Sequence, residues 1–319
     1  MRRNITKKID LLLSFVIIAI LLPLFITIIC QRMRLEQLIY GGLETVGEGA
    51  VFGTEMQEVT AVPAIGGDVE EQLLGIVAKE INVGANREAI LAQCVIARTN
   101  LCDARVRGTA EPEALDIDEM QALWGEHFED AYQELLKCVA LTEGQVLVWN
   151  GNYIYAAYHT LSAGRTRDIA ALYEEAQMPY LVERACQEDV TAEGYLTVTY
   201  RQTEEFLQEC RAQFPDATIE RVTDIVVQTR DNAGYVQELL IGDVTCLGED
   251  FRSRLGLNSA CFAITETGNE VRIVTKGLGH GVGLSQHMAG CMAEEGMDYK
   301  EILAYFYPET ELKTISSLK

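Results

Sequence analysis

The feature that most constrains this chain is the stretch 69–101, VEEQLLGIVAKEINVGANREAILAQCVIARTNL, which reads as two helices joined by a short turn. Asp68 is a plausible N-cap, after Gly66-Gly67. Val69, Leu73, Leu74, Ile76 and Val77 recur at helical spacing and form one apolar stripe. Glu80 follows Ile76 by four residues and Val77 by three, so its carboxyl projects from the end of that stripe. The turn Asn82-Val83-Gly84-Ala85 breaks the helix. The second helix carries Ile90, Leu91, Cys94 and Val95, and Arg98 follows Cys94 by four, again on the apolar side.

A carboxylate and a guanidinium on facing apolar surfaces are costly to leave unpaired. Two readings stay open. Glu80 and Arg98 form a buried ion pair that fixes the hairpin. Alternatively, Glu80 sits at a cleft edge, where desolvation keeps it protonated near neutral pH, and Arg98 meets substrate or lies further away.

Composition narrows the partners. The chain has 319 residues, 48% of them hydrophobic, and a formal charge of −22. Its first 34 residues hold six basic side chains against Asp10, a local charge of +5, which leaves −27 for the rest. So acidic a domain would repel nucleic acid and suits a largely uncharged polymer. Residues 11–30 carry no charge and are long enough to cross a bilayer. Arg and Lys precede them four to two, and no small-residue cleavage site follows, so an uncleaved anchor with a cytoplasmic N-terminus is expected. The expected layout is a cytoplasmic tail at 1–10, a transmembrane helix at 11–30, a Gly-rich tether at 31–65 and an extracytoplasmic domain at 66–315.

Within that domain, 117–141 has a continuous helical pattern, and 145–149 and 153–159 are strand-like around Asn150-Gly151-Asn152. The second strand opens into the small-residue loop Ser162-Ala163-Gly164-Arg165-Thr166. Further strands are expected at 195–201, 221–229, 235–241, 261–265 and 270–275, with helices at 203–214 and 250–257. Strands without βαβ regularity argue for α+β, a mixed helix and antiparallel-strand domain with a substrate cleft. Gly277, Gly279, Gly281 and Gly283 alternate with Leu278, His280 and Val282, which permits close backbone approach or positive φ. That segment is either a packing corner with His280 bonded to backbone or the lining of a ligand groove. Ser285 caps a helix to about Glu295, and a last helix, 299–307, ends at Pro308.

Other chemistries find little support. Ser162, His159 and Asp168 could make a hydrolytic triad on paper, but no GxSxG elbow accompanies them. His127 reads as a surface or packing residue. His287 and Cys291, four apart, give two metal ligands, short of a zinc site. The nine cysteines include no CxxC, and most read as reduced core thiols.

Three blocks together resemble a known family. The first is Ile76-Val77-Ala78-Lys79-Glu80 with Ala89-Ile90-Leu91-Ala92-Gln93 and Ala97-Arg98-Thr99. The second is Gly144-Gln145-Val146-Leu147, then His159 and 162–166. The third is Gly279-His280-Gly281-Val282-Gly283-Leu284-Ser285-Gln286, then Tyr307-Pro308. In this order they are similar to the stage II sporulation protein D family, membrane-anchored lytic transglycosylases that thin peptidoglycan during engulfment. The chain departs from the family pattern at Leu91, usually basic, at Ala163, usually glycine, and at His287-Met288-Ala289, where the family reads x-Gly-Ala.

The resemblance implies Glu80 as the catalytic acid. It implies that Arg98, His159, Ser162, Thr166, His280, Ser285 and Gln286 serve the substrate. The implied substrate is the glycan strand, cut between N-acetylmuramic acid and N-acetylglucosamine after an amidase has removed its stem peptides. The implied partners are that amidase and a multispanning membrane protein. No cofactor is needed. Some members hold zinc near the segment after the histidine, but here the next cysteine is Cys186, and no metal is carried over. The same domain also occurs in non-catalytic amidase enhancers, which is the main alternative; a two-carboxylate hydrolase is a third reading.

Overall fold

The computed structural model describes residues 69–172 and 177–318. The expected membrane segment, the tether and the Asp68 cap lie outside those residues. Among the described residues no helix is long and apolar enough to cross a membrane.

The predicted hairpin is present as α1 (Val69–Glu80) and α2 (Arg87–Arg107). Asn86 caps α2 through its side chain, which accepts from the Glu88 N–H. The second helix is longer than the stretch 69–101 that announced it: it runs on to Arg107 and ends where Gly108 takes a left-handed conformation (φ 67°). It is also not one-sided. Every residue from Ala89 to Thr99 is buried, so α2 is the central helix of the domain.

Helical periodicity over 117–141 is interrupted at Gly125, whose φ of 53° no continuous helix allows. The result is α3 (Ile117–Trp124), a 3₁₀ turn and α4 (Phe128–Leu141). His127, in that turn, is exposed. Strands β1 (Gln145–Trp149) and β2 (Asn152–Tyr153) form the expected hairpin over Asn150-Gly151, and β11 (Glu311–Thr314) pairs with β1 on its other side.

The strand expected from Tyr153 to His159 does not continue. The chain leaves β2 at Tyr153, and β3 (Tyr158–His159) pairs elsewhere, in parallel with β10 (Leu284–Ser285). This switch is what brings the carboxy-terminal glycine block to the middle of the molecule. After the short α5 (Ile169–Leu172) the chain builds a second lobe with its own core. Here β4 (Leu196–Gln202), β9 (Glu270–Lys276) and β8 (Phe262–Thr267) form one antiparallel sheet. β5 (Ile225–Arg230), β6 (Val236–Ile241) and β7 (Val244–Leu247) form another, with α6 (Thr203–Gln213) and α7 (Gly248–Arg254) packed on them. The chain then returns through β10 to α8 (Gln286–Glu294) and α9 (Tyr299–Phe306), which pack on α2. The architecture is α+β. The eight cysteines among the described residues are all free thiols, six of them buried.

A buried charge cluster joins the lobes. Arg167, 1% exposed, donates from Nε to Asp231 (2.7 Å), and its Nη1 lies 3.5 Å from Glu249. The guanidinium stacks over Tyr235 at 4.6 Å, while the Tyr235 hydroxyl accepts from the Ala163 N–H of the small-residue loop. Removing one member strands the others in low dielectric. Arg167→Met is therefore expected to destabilise the protein by about 3–5 kcal/mol, measured by urea unfolding. A loss below about 1 kcal/mol would show the cluster to be incidental.

Candidate active site

The two charged residues of the hairpin do not pair with each other. Arg98 is completely buried and makes a two-pronged ion pair with Glu70, Nε to Oε1 at 2.7 Å and Nη2 to Oε2 at 2.9 Å. Its Nη1 also donates to the Gln145 carbonyl at 3.1 Å. Glu70 in turn accepts from the Gly144 N–H at 3.1 Å. Arg98 thus ties the start of α1 to the junction of α4 and β1. Of the two sequence readings, the Glu80–Arg98 ion pair does not form; Arg98 lies further away, as the second allowed, and its partner Glu70 figured in neither. Glu70 lies on the first turn of α1, three, four and seven residues before Leu73, Leu74 and Val77, the same apolar-face spacing that singled out Glu80 and a signal for it that sequence reasoning passed over.

Glu80 is left without a counter-ion. It lies at the last position of α1 and is partly exposed. Its Oε2 accepts from the Gln93 amide of α2 at 2.8 Å, and the Tyr158 hydroxyl of β3 acts on the same carboxyl group. Burial raises the Glu80 pKa to about 7, against the smaller lowering effect of the Gln93 and Tyr158 hydrogen bonds. Tyr158 stays protonated, because burial and the Glu80 charge push its pKa far up. This is a carboxyl group able to hold a proton near neutral pH and release it to a partner at its open side.

Gln93 and Tyr158 are the site residues that sequence reasoning missed. A signal existed for Gln93, a lone polar side chain in the apolar run Ala89-Ile90-Leu91-Ala92-Gln93-Cys94-Val95, because a buried amide requires partners. For Tyr158 the signal was alternation along β3. Successive side chains face opposite ways, so Tyr158 toward Glu80 means His159 away from it.

His159 is indeed buried behind the strand. Its Nδ1 donates to the Val282 carbonyl at 3.1 Å, which fixes the tautomer, and its Nε2 has no protein partner. Burial and the neighbouring His280, 5.8 Å away between ring centroids, hold His159 neutral. His280 accepts the Val282 N–H at Nδ1 (3.0 Å), the backbone-bonded state of a packing corner. Gly279 and Gly283 explain why that corner needs glycine. Both have positive φ, and a Cβ on them would stand 2.8 Å from His159 Cβ and 1.9 Å from the Ala157 carbonyl oxygen.

The remaining expected residues separate. Ser162 and Ser285 are fully buried on Asp189, whose Oδ2 accepts the Ser162 N–H (2.9 Å) and the Ser285 hydroxyl (2.7 Å). His287 Nδ1 lies 3.0 Å from the same carboxylate, and Cys291 Sγ 3.8 Å from that nitrogen. Thr166, also buried, donates to the Val182 carbonyl and accepts from the Arg184 N–H. As they stand, these hydroxyls are satisfied by the protein and offer nothing to a polymer outside. Gln286 alone of the later residues reaches Glu80. Parallel pairing of β10 with β3 sets the start of α8 beside the acid, and the Gln286 amide donates to the Glu80 main-chain carbonyl at 2.7 Å.

The raised pKa has a sign. Glu80 is harder to ionise folded than unfolded, so it withdraws stability as pH rises from about 4.5 to about 7. Glu80→Gln is isosteric with the protonated acid. It is expected to be more stable than the parent by about 2 kcal/mol at pH 8, with the difference fading toward pH 4.5, as read from denaturation curves across that range. An unchanged difference across the range would show that Glu80 is not desolvated.

The chain is similar to known proteins along most of its length. The SpoIID family model, described as a stage II sporulation protein, matches residues 55–149, the segment holding Glu80, Gln93 and Arg98. Stage II sporulation protein D of Bacillus subtilis (strain 168) is 30% identical over 276 residues, which cover 82% of this chain and 78% of that one. The protein of the same name from Bacillus amyloliquefaciens is 29% identical over 281 residues, 84% of this chain and 79% of its own. The amidase enhancer of Bacillus subtilis is more distant, 24% identical over 290 residues, 75% of this chain and 40% of the enhancer. A similarity that runs through both lobes, at 30% identity across 82% of the length, makes the chain a member of the stage II sporulation protein D family.

Proposed function

We propose that this protein is a lytic transglycosylase of sporulation, cleaving the β-1,4 bond between N-acetylmuramic acid and N-acetylglucosamine. The observation that carries this reading is Glu80. It is partly open to solvent, has a pKa raised to about 7, and neither a cation nor a second carboxylate is among the groups that shift it.

Protonated Glu80 gives its proton to the glycosidic oxygen as the bond to C1 breaks. The resulting carboxylate, held by the Gln93 N–H and the Tyr158 O–H, then takes the proton of the muramic acid C6 hydroxyl. The C6 oxygen closes on C1 and leaves a 1,6-anhydro end. No water is consumed and Glu80 finishes protonated, so one carboxyl suffices where hydrolases use two. Family membership supports a setting in which residues 11–30 anchor the chain in the membrane with residues 66–315 outside. It also supports peptide-stripped glycan as the substrate and an amidase and a multispanning membrane protein as partners.

A second reading is favoured by the similarity to the amidase enhancer: a wall-binding protein that activates another enzyme and cuts nothing itself. The two separate in one experiment. Full-length protein incubated with peptide-free glycan strands is expected to yield anhydro-muramic ends by mass spectrometry, and Glu80→Gln is expected to lower the yield at least about 100-fold. Reducing ends would indicate a hydrolase. The absence of cleavage by folded protein would favour the enhancer.

A further inference from the structure

Three hydrogen bonds beside Glu80 form a chain with a direction. The Glu80 main-chain carbonyl can only accept, so the Gln286 group against it, 2.7 Å away, must be the NH₂. The same nitrogen lies 3.2 Å from Gln93 Oε1, where its second hydrogen goes. With its oxygen so engaged, fully buried Gln93 must turn its own NH₂ to Glu80 Oε2, at 2.8 Å. Turning Gln286 over would set its oxygen against the Glu80 carbonyl oxygen, and turning Gln93 over would set its NH₂ against that of Gln286. The order is therefore read from a backbone carbonyl, and neither amide orientation is a free choice.

We propose that Gln286 and Gln93 are positioning residues that form a one-way relay from the Glu80 carbonyl to its own carboxyl group, keeping Oε2 an acceptor and the transferable proton on Oε1. This rests on the general-acid reading of Glu80 and deepens it. Oε1 alone then gives the proton to the leaving oxygen and takes one back from the attacking hydroxyl, so both transfers use the same atom.

The surroundings add a second donor, the Tyr158 hydroxyl, but no charge. The other titratable groups facing Glu80 are Cys94 on α2, Tyr155 before β3, Tyr158 on β3 and Tyr307 after α9. Burial keeps all four in their uncharged forms. A turned Gln93 would present its oxygen to Oε2, which would then carry the proton and donate it inward. Gln286 prevents this without touching the carboxyl group. Its position at the first residue of α8, partly exposed, makes it the safer residue to change.

The test titrates Glu80 directly. Full-length protein in detergent, labelled at the glutamate δ-carbons, is followed by ¹³C NMR from pH 5 to 9, with the resonance assigned by its loss in Glu80→Gln. Gln286→Met is expected to raise the midpoint by about one pH unit, because Gln93 is freed to favour the neutral acid. A general acid is active while protonated, so the alkaline limb of kcat/KM moves up by the same amount, and kcat falls about tenfold while KM stays within about twofold. Gln93→Met removes the donor itself and is expected to move the midpoint the same way.

A folded Gln286→Met protein with the parental midpoint and kcat overturns the relay, whether or not Gln93→Met folds. If the parent makes no anhydro ends but the Gln286→Met midpoint rises, the relay stands and the transglycosylase reading falls. If the parent cleaves and the midpoint stays, the reverse holds.

Discussion

The site depends on an ion pair that does not include it. Arg98 is the buried cation nearest in sequence to Glu80, and had it reached that carboxylate it would have fixed it ionised at neutral pH. Glu70 takes both prongs of the guanidinium instead. Because that pair also holds the start of α1 and the entry to β1, the same contact stabilises the fold and leaves Glu80 uncompensated. Desolvation then acts on Glu80 almost unopposed, and a carboxyl group that would ordinarily titrate near 4.5 is poised near 7.

The second determinant is the crossing of two chain segments at β3. Two residues of parallel pairing with β10 are few, but they sit where the first lobe meets the polypeptide returning from the second. One side of β3 gives Tyr158 to the acid, and the other buries His159 among the glycines. The close approach costs side chains at Gly279 and Gly283, and it places the first residue of α8 within reach of the carbonyl that ends α1. Asp189 then gathers the loop ends through Ser162, Ser285 and His287. The glycine block is thus best understood as the hinge pin of the two segments.

How the residues divide follows from the range of the interactions. The hairpin, the Gly-bounded turn over Asn150-Gly151, five of the six second-lobe strands and the last two helices were legible, because propensity, capping and periodicity act within a few residues. The break at Gly125 and the extension of α2 past Asn100 were not. A single positive φ and all-round burial leave no mark on a one-sided pattern. Short β10, and the break that separates β2 from β3, escaped detection for a related reason: two-residue strands have no period, and pairing elsewhere in the chain defines β3 and β10. Ser162, Thr166, His159 and Ser285 look like binding groups in a sequence because polar residues in small-residue loops often are. Here Ser162, Thr166 and Ser285 are bonded inside the protein, and His159 is buried behind β3 with its Nδ1 on the Val282 carbonyl.

By itself, then, the sequence determined that two helices would carry Glu80 and Arg98 on inward faces, that glycines at 277–283 would permit close packing, and that the motifs belong to one family. Those are consequences of local spacing. The tertiary structure decided which carboxylate receives Arg98, that Gln93 and Tyr158 flank Glu80, and that Gln286 serves the acid while its neighbour Ser285 does not. Charge pairing and desolvation are set by which surfaces meet, and residues 28, 78 and 206 positions apart meet only after folding.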